Sequence, residues 1–212
     1  MYLSRVEIDV CNRQKIRDLS HLGAYHNWVE NSFPLEINNG IRSRKLWRID
    51  TIQGTRYLLL VSDEKPDLKL LEQYGVSGTA RTKSYDKFLD SIEENKFYRF
   101  RVTLNPVKSI HQDEGKRGRV VPEITAEQQM KFLESRAEKL GFELMPNNYL
   151  IVDKSWVPMK KAGQKTIKLS RATYEGILKV TDKSVFYHSL TKGIGKKKAY
   201  GFGLMTVIPY KI

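Results

Sequence analysis

Hydrophobic and polar residues in the first ninety positions follow the periods of strands and helices in turn. Residues 2–10 (YLSRVEIDV) are rich in β-branched side chains and follow no helix-capping signal, which predicts a strand. Residues 13–30 place apolar side chains on one side at helical spacing, which predicts a helix interrupted at Gly23. The remaining predicted elements are strands at 44–50 and 56–61 around a glycine-containing turn, a helix at 66–74 and an edge strand at 74–83. The order is β, α, β, β, α, β, which is the ferredoxin-like pattern.

A second set of elements begins about a hundred residues after the first. Residues 97–104 (FYRFRVTL) alternate as a strand, and residues 125–140 predict the clearest helix, which opens with a Thr-Ala-Glu-Gln capping sequence. Strands are predicted at 142–152, 156–160, 165–180 and 204–209, and a short helix at 182–190. These patterns predict an α+β protein of two tandem ferredoxin-like (RRM-like) βαββαβ domains, residues 1–92 and 93–212, packed side by side.

The composition is that of a folded chain, with 40% hydrophobic and 29% charged residues. The longest aliphatic run, residues 57–61, is much shorter than a membrane span or the core of a signal peptide. We therefore expect a cytoplasmic protein with no membrane partner. The single cysteine, Cys11, cannot form an internal disulfide, and the apolar strand pattern around it predicts a small buried side chain.

Positive charge is concentrated near the end of the chain. The net charge is +13, and residues 151–212 contain thirteen basic and three acidic residues. Such a field attracts a polyanion, and nucleic acid is the usual partner of a basic domain with interleaved aromatic residues. A basic surface that serves only solubility is the alternative.

Three basic segments are candidate phosphate contacts. The segment 193–203 (GIGKKKAYGFG) combines four glycines with three lysines, so backbone N–H and ammonium groups can both contact phosphate, although a plain turn is the alternative. The turn at 159–165 (MKKAGQK) is the second, with a lysine-rich sheet edge as its alternative, and the loop at 106–122 is the third. The candidate residues are Gly193, Gly195, Lys196, Lys197, Lys198, Gly201 and Gly203 in the first segment, Lys160, Lys161, Lys165 and Lys168 around the second, and Lys116, Arg117 and Arg119 in the third.

Catalytic candidates are few. The four histidines, His21, His26, His111 and His188, show no metal-ligand spacing, and no paired acidic cluster is apparent, so we expect no metal and no cofactor. If the partner is RNA, one imidazole suffices, because the substrate supplies its own 2′-hydroxyl nucleophile and the protein transfers a proton. On an uninterrupted helix His26 would be a core histidine. A break at Gly23 would instead place it in the first turn of a second helix, where a nearby phosphate is favoured.

Six segments, spread from the start of the chain to its end, carry a family resemblance. They are MYLSRV at 1–6, the RDL…H segment ending at His26, RFRVTLNPVKS at 99–109, VVPEITAEQQMKFLESRAEKLGF at 120–142, YEGILKVTD at 174–182 and GIGKKKAYGFGLM at 193–205. Together they resemble the CasE family, the CRISPR-associated endoribonucleases of the Cascade surveillance complex. The likeness extends in order from the first residue to about Pro209, and residues 30–94 add little to it.

The resemblance implies a function. It implies a protein that binds the stem-loop of a CRISPR repeat transcript and cuts at its base without a metal, leaving a 2′,3′-cyclic phosphate and a 5′-hydroxyl. It also implies that the protein stays on the mature guide RNA beside other Cascade subunits. The family's catalytic histidine matches His26, as general acid for the 5′-oxygen or as general base for the 2′-hydroxyl. A tyrosine that assists in some members falls on Gly23 here, and the adjacent Tyr25 points about 100° away on a helix.

Further site residues are expected, some of them from the same correspondence. Lys154 or Lys160 is expected to offset charge on the phosphorane. The RNA-contacting hairpin corresponds to residues 159–168, and the glycine-rich loop to residues 193–203. Arg99, Arg101 and Lys108, in the resembling segment 99–109, are expected RNA contacts as well.

Two other functions remain open at this point. The first is a non-catalytic RNA-binding module of the same fold, which Gly23 in place of tyrosine favours. The second is a protein-interaction subunit whose basic surface faces another protein. The first would keep RNA affinity without depending on His26, and the second would lack RNA affinity at any salt concentration.

Overall fold

In the computed structural model, which describes residues 1–110, 118–161 and 163–211, the first half of the chain builds a four-stranded antiparallel sheet. Its strands are β1 (Tyr2–Glu7), β2 (Lys45–Ile52), β3 (Thr55–Ser62) and β4 (Arg81–Ser84), in the spatial order β2-β3-β1-β4. The helices of this half are α1 (Arg13–Asp18), α2 (Leu22–Asn31), α3 (Pro34–Asn38), α4 (Leu68–Leu71) and α5 (Asp86–Asp90). This strand order is that of a βαββαβ ferredoxin-like unit.

The second half repeats this strand order. The strands β5 (Phe97–Leu104), β8 (Phe142–Met159), β9 (Ile167–Val180) and β10 (Met205–Tyr210) form an antiparallel sheet ordered β10-β5-β9-β8. Its helices are α6 (Ala126–Ala137) and α7 (Lys183–Lys192), with 3₁₀ turns at Glu138–Leu140 and Lys198–Tyr200. The predicted α+β fold of two tandem ferredoxin-like units is therefore confirmed. The boundary predicted between residues 92 and 93 lies in the connection between α5 and β5.

The helix predicted at 13–30 is in fact two helices, and the break lies earlier than Gly23. Helix α1 ends at Asp18, and α2 begins at Leu22. The second helix starts there because the His21 side chain caps it, with Nδ1 accepting a hydrogen bond from the backbone N–H of Ala24 at 3.1 Å. Gly23 is thus the second residue of α2 rather than its boundary.

Other sequence predictions differ from the structure at irregular positions. The strands predicted at 142–152 and 156–160 are one long strand, β8, whose register against β9 shifts twice before residue 153. A bulge interrupts side-chain alternation, so the sequence pattern indicated two strands. The segment predicted as a loop at 106–122 contains a small two-stranded sheet of β6 (Val107–Ile110) and β7 (Arg119–Pro122).

The prediction for Cys11 was wrong. Strand β1 ends at Glu7, and Cys11 lies in the turn before α1 with its side chain exposed. The apolar pattern of residues 2–10 therefore extends past the strand itself. Among the described residues, no helix is both long and apolar enough to cross a lipid bilayer.

The two halves pack through β2. Leu46 joins the hydrophobic core of the second half, whereas the adjacent Trp47 belongs to the core of the first half. Arg48, which is 2% exposed, donates to the carbonyls of Arg101 and Leu204 at 2.7 and 2.8 Å and pairs with both carboxylate oxygens of Asp50 at 2.7 Å. These contacts hold β2 against the sheet of the second half.

Candidate active site

His26 lies in the second turn of α2, outside the core face of that helix. The core face consists of Leu22, Tyr25, Trp28 and Val29, all buried. The His26 side chain is 23% exposed. The interpretation of His26 as a core histidine is therefore wrong, and so is its placement in the first helical turn.

His26 opens into a surface pocket of about 640 Å³ at the junction of the two halves. The wall on one side is the start of α2, and the opposite wall combines the end of β8 with the 3₁₀ turn at 198–200. The lining residues are His21, Gly23, Ala24, His26, Asn27, Lys160, Lys161, Gln164 and Tyr200. Within the part of the chain that the structure describes, this lining includes two imidazoles, two lysines and a tyrosine but no carboxylate, so the pocket suits an anion.

Behind His26, charged groups form a chain that leads away from the pocket. Its Nδ1 lies 3.8 Å from a carboxylate oxygen of Glu30, one turn later on α2. The other Glu30 oxygen lies 3.6 Å from the ammonium of Lys45, which is buried and also pairs with Glu36 at 2.6 Å. The Glu30 carboxylate thus lies beside the Nδ1 edge of the His26 imidazole and leaves the side of the ring that faces the pocket open.

The pKa of His26 lies below the ordinary value of 6.5. Partial burial is the largest cause, because it penalises the charged imidazolium. The Glu30 carboxylate opposes this shift, whereas the cations Arg42 and Lys45 add to it. A lowered pKa favours a neutral ring near pH 7, which is the form that accepts a proton.

Tyr200, which the sequence analysis did not select, packs against His26. The two ring centroids are 5.2 Å apart, with the planes inclined by 55°. The ammonium of Lys161 lies 5.9 Å from the centre of the same tyrosine ring. Tyr200 therefore joins the histidine of one half to a lysine of the other. The sequence signal that could have identified Tyr200 is its position as an aromatic residue within the lysine- and glycine-rich segment 193–203.

The glycine-rich segment 193–203 is a packed structure rather than a plain solvated turn. The indole N–H of Trp47 donates to the carbonyl of Ala199 at 3.1 Å. Gly201 has φ +81°, and a Cβ there would lie 2.6 Å from the Trp47 ring. Only glycine combines this conformation with this close approach. The contact with Trp47 fixes the position of Tyr200 beside His26.

Lys197 and Lys198 begin the turn that carries Tyr200. Lys197 has φ +62°, an uncommon left-handed conformation for a residue with a side chain. The pKa of Lys197 is lowered by burial and by the charge of Lys161, and that of Lys198 by burial and by Arg44. Cations held close to one another in this way favour a bound anion.

Gly23 permits the first turn of α2 to touch the end of β8. A Cβ on residue 23 would lie 2.1 Å from the carbonyl oxygen of Lys160, so no other residue fits without moving the backbone. The tyrosine that the family resemblance places here is therefore excluded by packing. The same contact brings Lys160 into the His26 pocket.

The structure does not bring Tyr25 or Lys154 to this pocket. Tyr25 stacks on Trp47 in the core of the first half, with ring centroids 5.8 Å apart, and burial raises the pKa of its hydroxyl. Lys154 is exposed on β8, opposite Ala172 of β9. Of the two lysines expected to offset phosphorane charge, only Lys160 lines the pocket.

The remaining candidate residues are spread over other surfaces. Lys165 and Lys168 are exposed near the turn that follows β8, and Lys196 is exposed in the glycine-rich segment 193–203. Arg99 is exposed on β5. Lys108 and Arg119 are exposed on β6 and β7. Lys108 lies 3.5 Å from a carboxylate oxygen of Glu123. His111, Lys116 and Arg117 lie outside the described residues.

Arg101 belongs to a separate cleft between the two sheets, with a volume of about 280 Å³. Its guanidinium lies 3.3 Å from an oxygen of Asp50 and pairs with Glu175. Arg171, in the same cleft, pairs with Asp153 at 3.0 Å. We name this region the arginine cleft. Tyr200 lines both the arginine cleft and the His26 pocket.

A comparison with known protein families identifies the group to which this arrangement belongs. Residues 1–209 match the family model described as CRISPR associated protein. The chain belongs to this family. This CRISPR-associated family assignment covers both ferredoxin-like halves, and it confirms the resemblance that the six sequence segments carry.

Individual members of the CRISPR-associated family are similar to this chain over nearly its whole length. The CRISPR-associated endoribonuclease Cse3 of Thermus thermophilus is 26% identical over 220 residues, which cover 99% of this chain and 100% of the relative. The structure of Thermus thermophilus Cse3 bound to an RNA representing a pre-cleavage complex has a TM-score of 0.80 at 24% identity, with 98% of each chain covered. A chain of a CRISPR RNA-guided surveillance complex has a TM-score of 0.69 at 18% identity, with 99% and 100% covered. The structural likenesses show a shared fold.

Proposed function

We propose that this protein is a metal-independent endoribonuclease that binds the stem-loop of CRISPR repeat RNA and cleaves at its base. The observation that carries the proposal is the pocket that His26 shares with Lys160, Lys161 and Tyr200, with no Asp or Glu in the lining across residues 1–110, 118–161 and 163–211. The relative of known activity is a CRISPR-associated endoribonuclease, and its pre-cleavage RNA complex has the same fold. After cleavage the protein stays on the guide RNA as a Cascade subunit, as the likeness to a chain of a surveillance complex supports.

In this mechanism the substrate supplies the nucleophile. The 2′-hydroxyl upstream of the cut loses its proton to the base and its oxygen attacks phosphorus. The bond from phosphorus to the 5′-oxygen breaks, and the leaving oxygen takes up a proton from water, so a 2′,3′-cyclic phosphate and a 5′-hydroxyl result. We assign to His26 the role of general base for the 2′-hydroxyl, because its partly exposed side chain lines the pocket and its lowered pKa keeps the ring in the form that accepts a proton. The ammonium groups of Lys160 and Lys161 offset the charge that develops on the phosphorane.

Metal independence is tested by cleavage of the protein's own repeat RNA in EDTA. Among the described residues, no group of three or more His, Cys, Asp and Glu side chains is arranged to hold a metal ion. We expect full activity in chelator and no cleavage of RNA with a 2′-deoxy nucleotide upstream of the cut. Loss of activity in EDTA with recovery in magnesium would contradict the mechanism, as would cleavage of the deoxy substrate at an unchanged position.

A non-catalytic RNA-binding module is the second candidate function. Gly23, which leaves no tyrosine at that position, is the observation that favours it. Such a module would bind the stem-loop with a steep salt dependence but leave it intact at any protein concentration. The cleavage assay described above separates the two functions directly.

A further inference from the structure

A second imidazole, that of His21, lines the same pocket as His26. We propose that His21 contacts the scissile phosphate, donating a hydrogen bond from its Nε2–H to a non-bridging oxygen while His26 transfers the proton. His21 is then a second catalytic residue of the site. The inference rests on the endoribonuclease function proposed above, and it adds one contact to that mechanism.

The ring of His21 is oriented by the helix that it caps. Its Nδ1 accepts a hydrogen bond from the backbone N–H of Ala24 at 3.1 Å, a position that oxygen side chains usually occupy. A backbone N–H can be accepted only by a ring nitrogen that carries no proton, so the neutral ring in this contact has its proton on Nε2. The cap therefore sets the tautomer and leaves a hydrogen-bond donor on the other side of the ring.

This donor is available to a ligand. Among the described residues, no protein atom accepts a hydrogen bond from His21 Nε2, and Nε2 is not one of the buried polar atoms that lack a partner. Gly23 also leaves the ring uncovered, because a Cβ at residue 23 would lie 3.0 Å from His21 Nδ1 and 3.1 Å from Cε1. Any larger residue at position 23 would displace the ring.

The surrounding charge indicates that the acceptor is an anion. Lys160 and Lys161 line the pocket beside both imidazoles, and none of the described residues in the lining is Asp or Glu. The first turn of α2, a ten-residue helix, adds the partial positive charge of its free N–H groups. In the proposed reaction the anion that must lie within reach of His26 is the scissile phosphate. A fixed donor at this place stabilises the charge that grows on the phosphorane.

His21→Asn separates the donor from the cap. Asparagine supplies an oxygen that caps a helix well, but its side chain ends short of the Nε2 position. We expect single-turnover cleavage of the repeat stem-loop to fall about 10²-fold, as for the loss of one donor to a developing oxyanion, with wild-type melting temperature. RNA affinity should stay within a few-fold. A wild-type cleavage rate in this variant would overturn the proposal.

Two further variants exclude a purely structural role. His21→Ala should lose both the cleavage rate and some thermal stability. Asp182→Ala, which removes the cap that accepts the Val185 N–H at 2.9 Å on α7, should lower the melting temperature and keep the cleavage rate of the folded protein. If Asp182→Ala and His21→Asn both lose cleavage rate in proportion to their decrease in melting temperature, His21 acts only as a helix cap.

Other outcomes distinguish this inference from the function on which it rests. If His26→Ala cleaves as fast as wild type, the proposed function fails whatever His21 does. If His26→Ala is inactive while His21→Asn is fully active, only the present inference fails. If His21→Asn does not fold, ¹⁵N NMR of the wild-type ring with uncleavable 2′-deoxy RNA decides the question. The His21 Nε2–H resonance should shift on binding, and an unchanged resonance would overturn the proposal.

Discussion

Two basic regions meet at Tyr200, and they differ in how their charge is balanced. In the arginine cleft, Arg101 and Arg171 face the carboxylates of Asp50, Glu175 and Asp153. In the His26 pocket, no carboxylate of the described residues lines the wall beside the lysines. Arg101 and Arg171 are therefore neutralised by carboxylates of the protein itself, whereas the pocket retains a positive field at its surface.

The difference shows that basic residues serve two purposes in this molecule. Guanidinium groups help to hold the two sheets together, because Arg48 of the first sheet donates to the carbonyls of Arg101 and Leu204, and Arg101 of the second sheet pairs with Asp50. Ammonium groups on exposed turns remain available to phosphate. A net charge of +13 in the sequence therefore overstates the surface that can bind RNA. The following predictions test this division.

The largest effect on cleavage is expected from His26→Ala. The single-turnover rate should fall by about 10² to 10⁴, the usual range for one acid–base group, while RNA affinity changes only a few-fold. Arg171→Ala, in the arginine cleft, is the control, and its rate should match wild type. An inactive His26→Ala variant that is also unfolded would instead return His26 to a structural role.

The largest effect on stability is expected from Arg48→Ala. The change leaves Asp50 buried without its bidentate partner, so the free energy of unfolding should fall by about 3 kcal/mol. Lys161→Ala removes a pocket cation with no carboxylate partner and should leave that free energy nearly unchanged. If chemical denaturation shows that Arg48→Ala and Lys161→Ala lose the same free energy of unfolding, the two regions do not differ in how their charge is balanced.

Salt dependence of RNA binding should respond to the pocket and not to the cleft. Replacing Lys160 and Lys161 together by Gln should flatten the slope of log K against log salt by about 1.5 units, since each phosphate contact contributes about −0.7 to −0.9. Arg101→Gln should leave the slope near wild type, because its charge is already balanced. The reverse result would place the RNA phosphates in the arginine cleft.

The sequence predicts the sheets and the lysine-rich segments, but it does not predict which basic residues are paired with carboxylates. Periodicity predicts both sheets, because most strands of the two units have one face against a core, whereas the short strand β4 has no buried residue. The composition also identifies the lysine-rich turn and the glycine-rich segment as candidate phosphate contacts. It does not show that Arg101 is paired, because Asp50 and Glu175 approach it from different sheets through contacts between distant parts of the chain.

The pocket itself was predicted only in part. His26 and Lys160 follow from the family resemblance. Tyr200 and His21 do not, because each acquires its place from packing: Tyr200 from the contact of Gly201 with Trp47, and His21 from a cap that histidine seldom provides. Cys11 was mispredicted for the related reason that an apolar run does not show where its strand ends.

The smallest expected effect is a shift in the pH dependence of cleavage. The Glu30 carboxylate stabilises the imidazolium of His26 and so raises its pKa against the opposing effects of burial, Arg42 and Lys45. Glu30→Gln should lower the pKa of His26 further. With His26 as general base, the rate rises with pH through this pKa and then levels, so the rising limb should move to lower pH. A rate that falls with increasing pH through this range would assign His26 to the acid role instead.

The contact of Gly201 with Trp47 also determines when the protein can become active. The imidazoles lie near the start of the chain, while Tyr200 arrives near its end and is held in place by that contact and by the bond from the Gly203 N–H to the Thr103 carbonyl. A nascent chain on the ribosome therefore carries an incomplete pocket until residues 193–203 have been synthesised and have packed against Trp47. We expect the pocket to assemble only after the two halves have folded against each other, because residues of both line it.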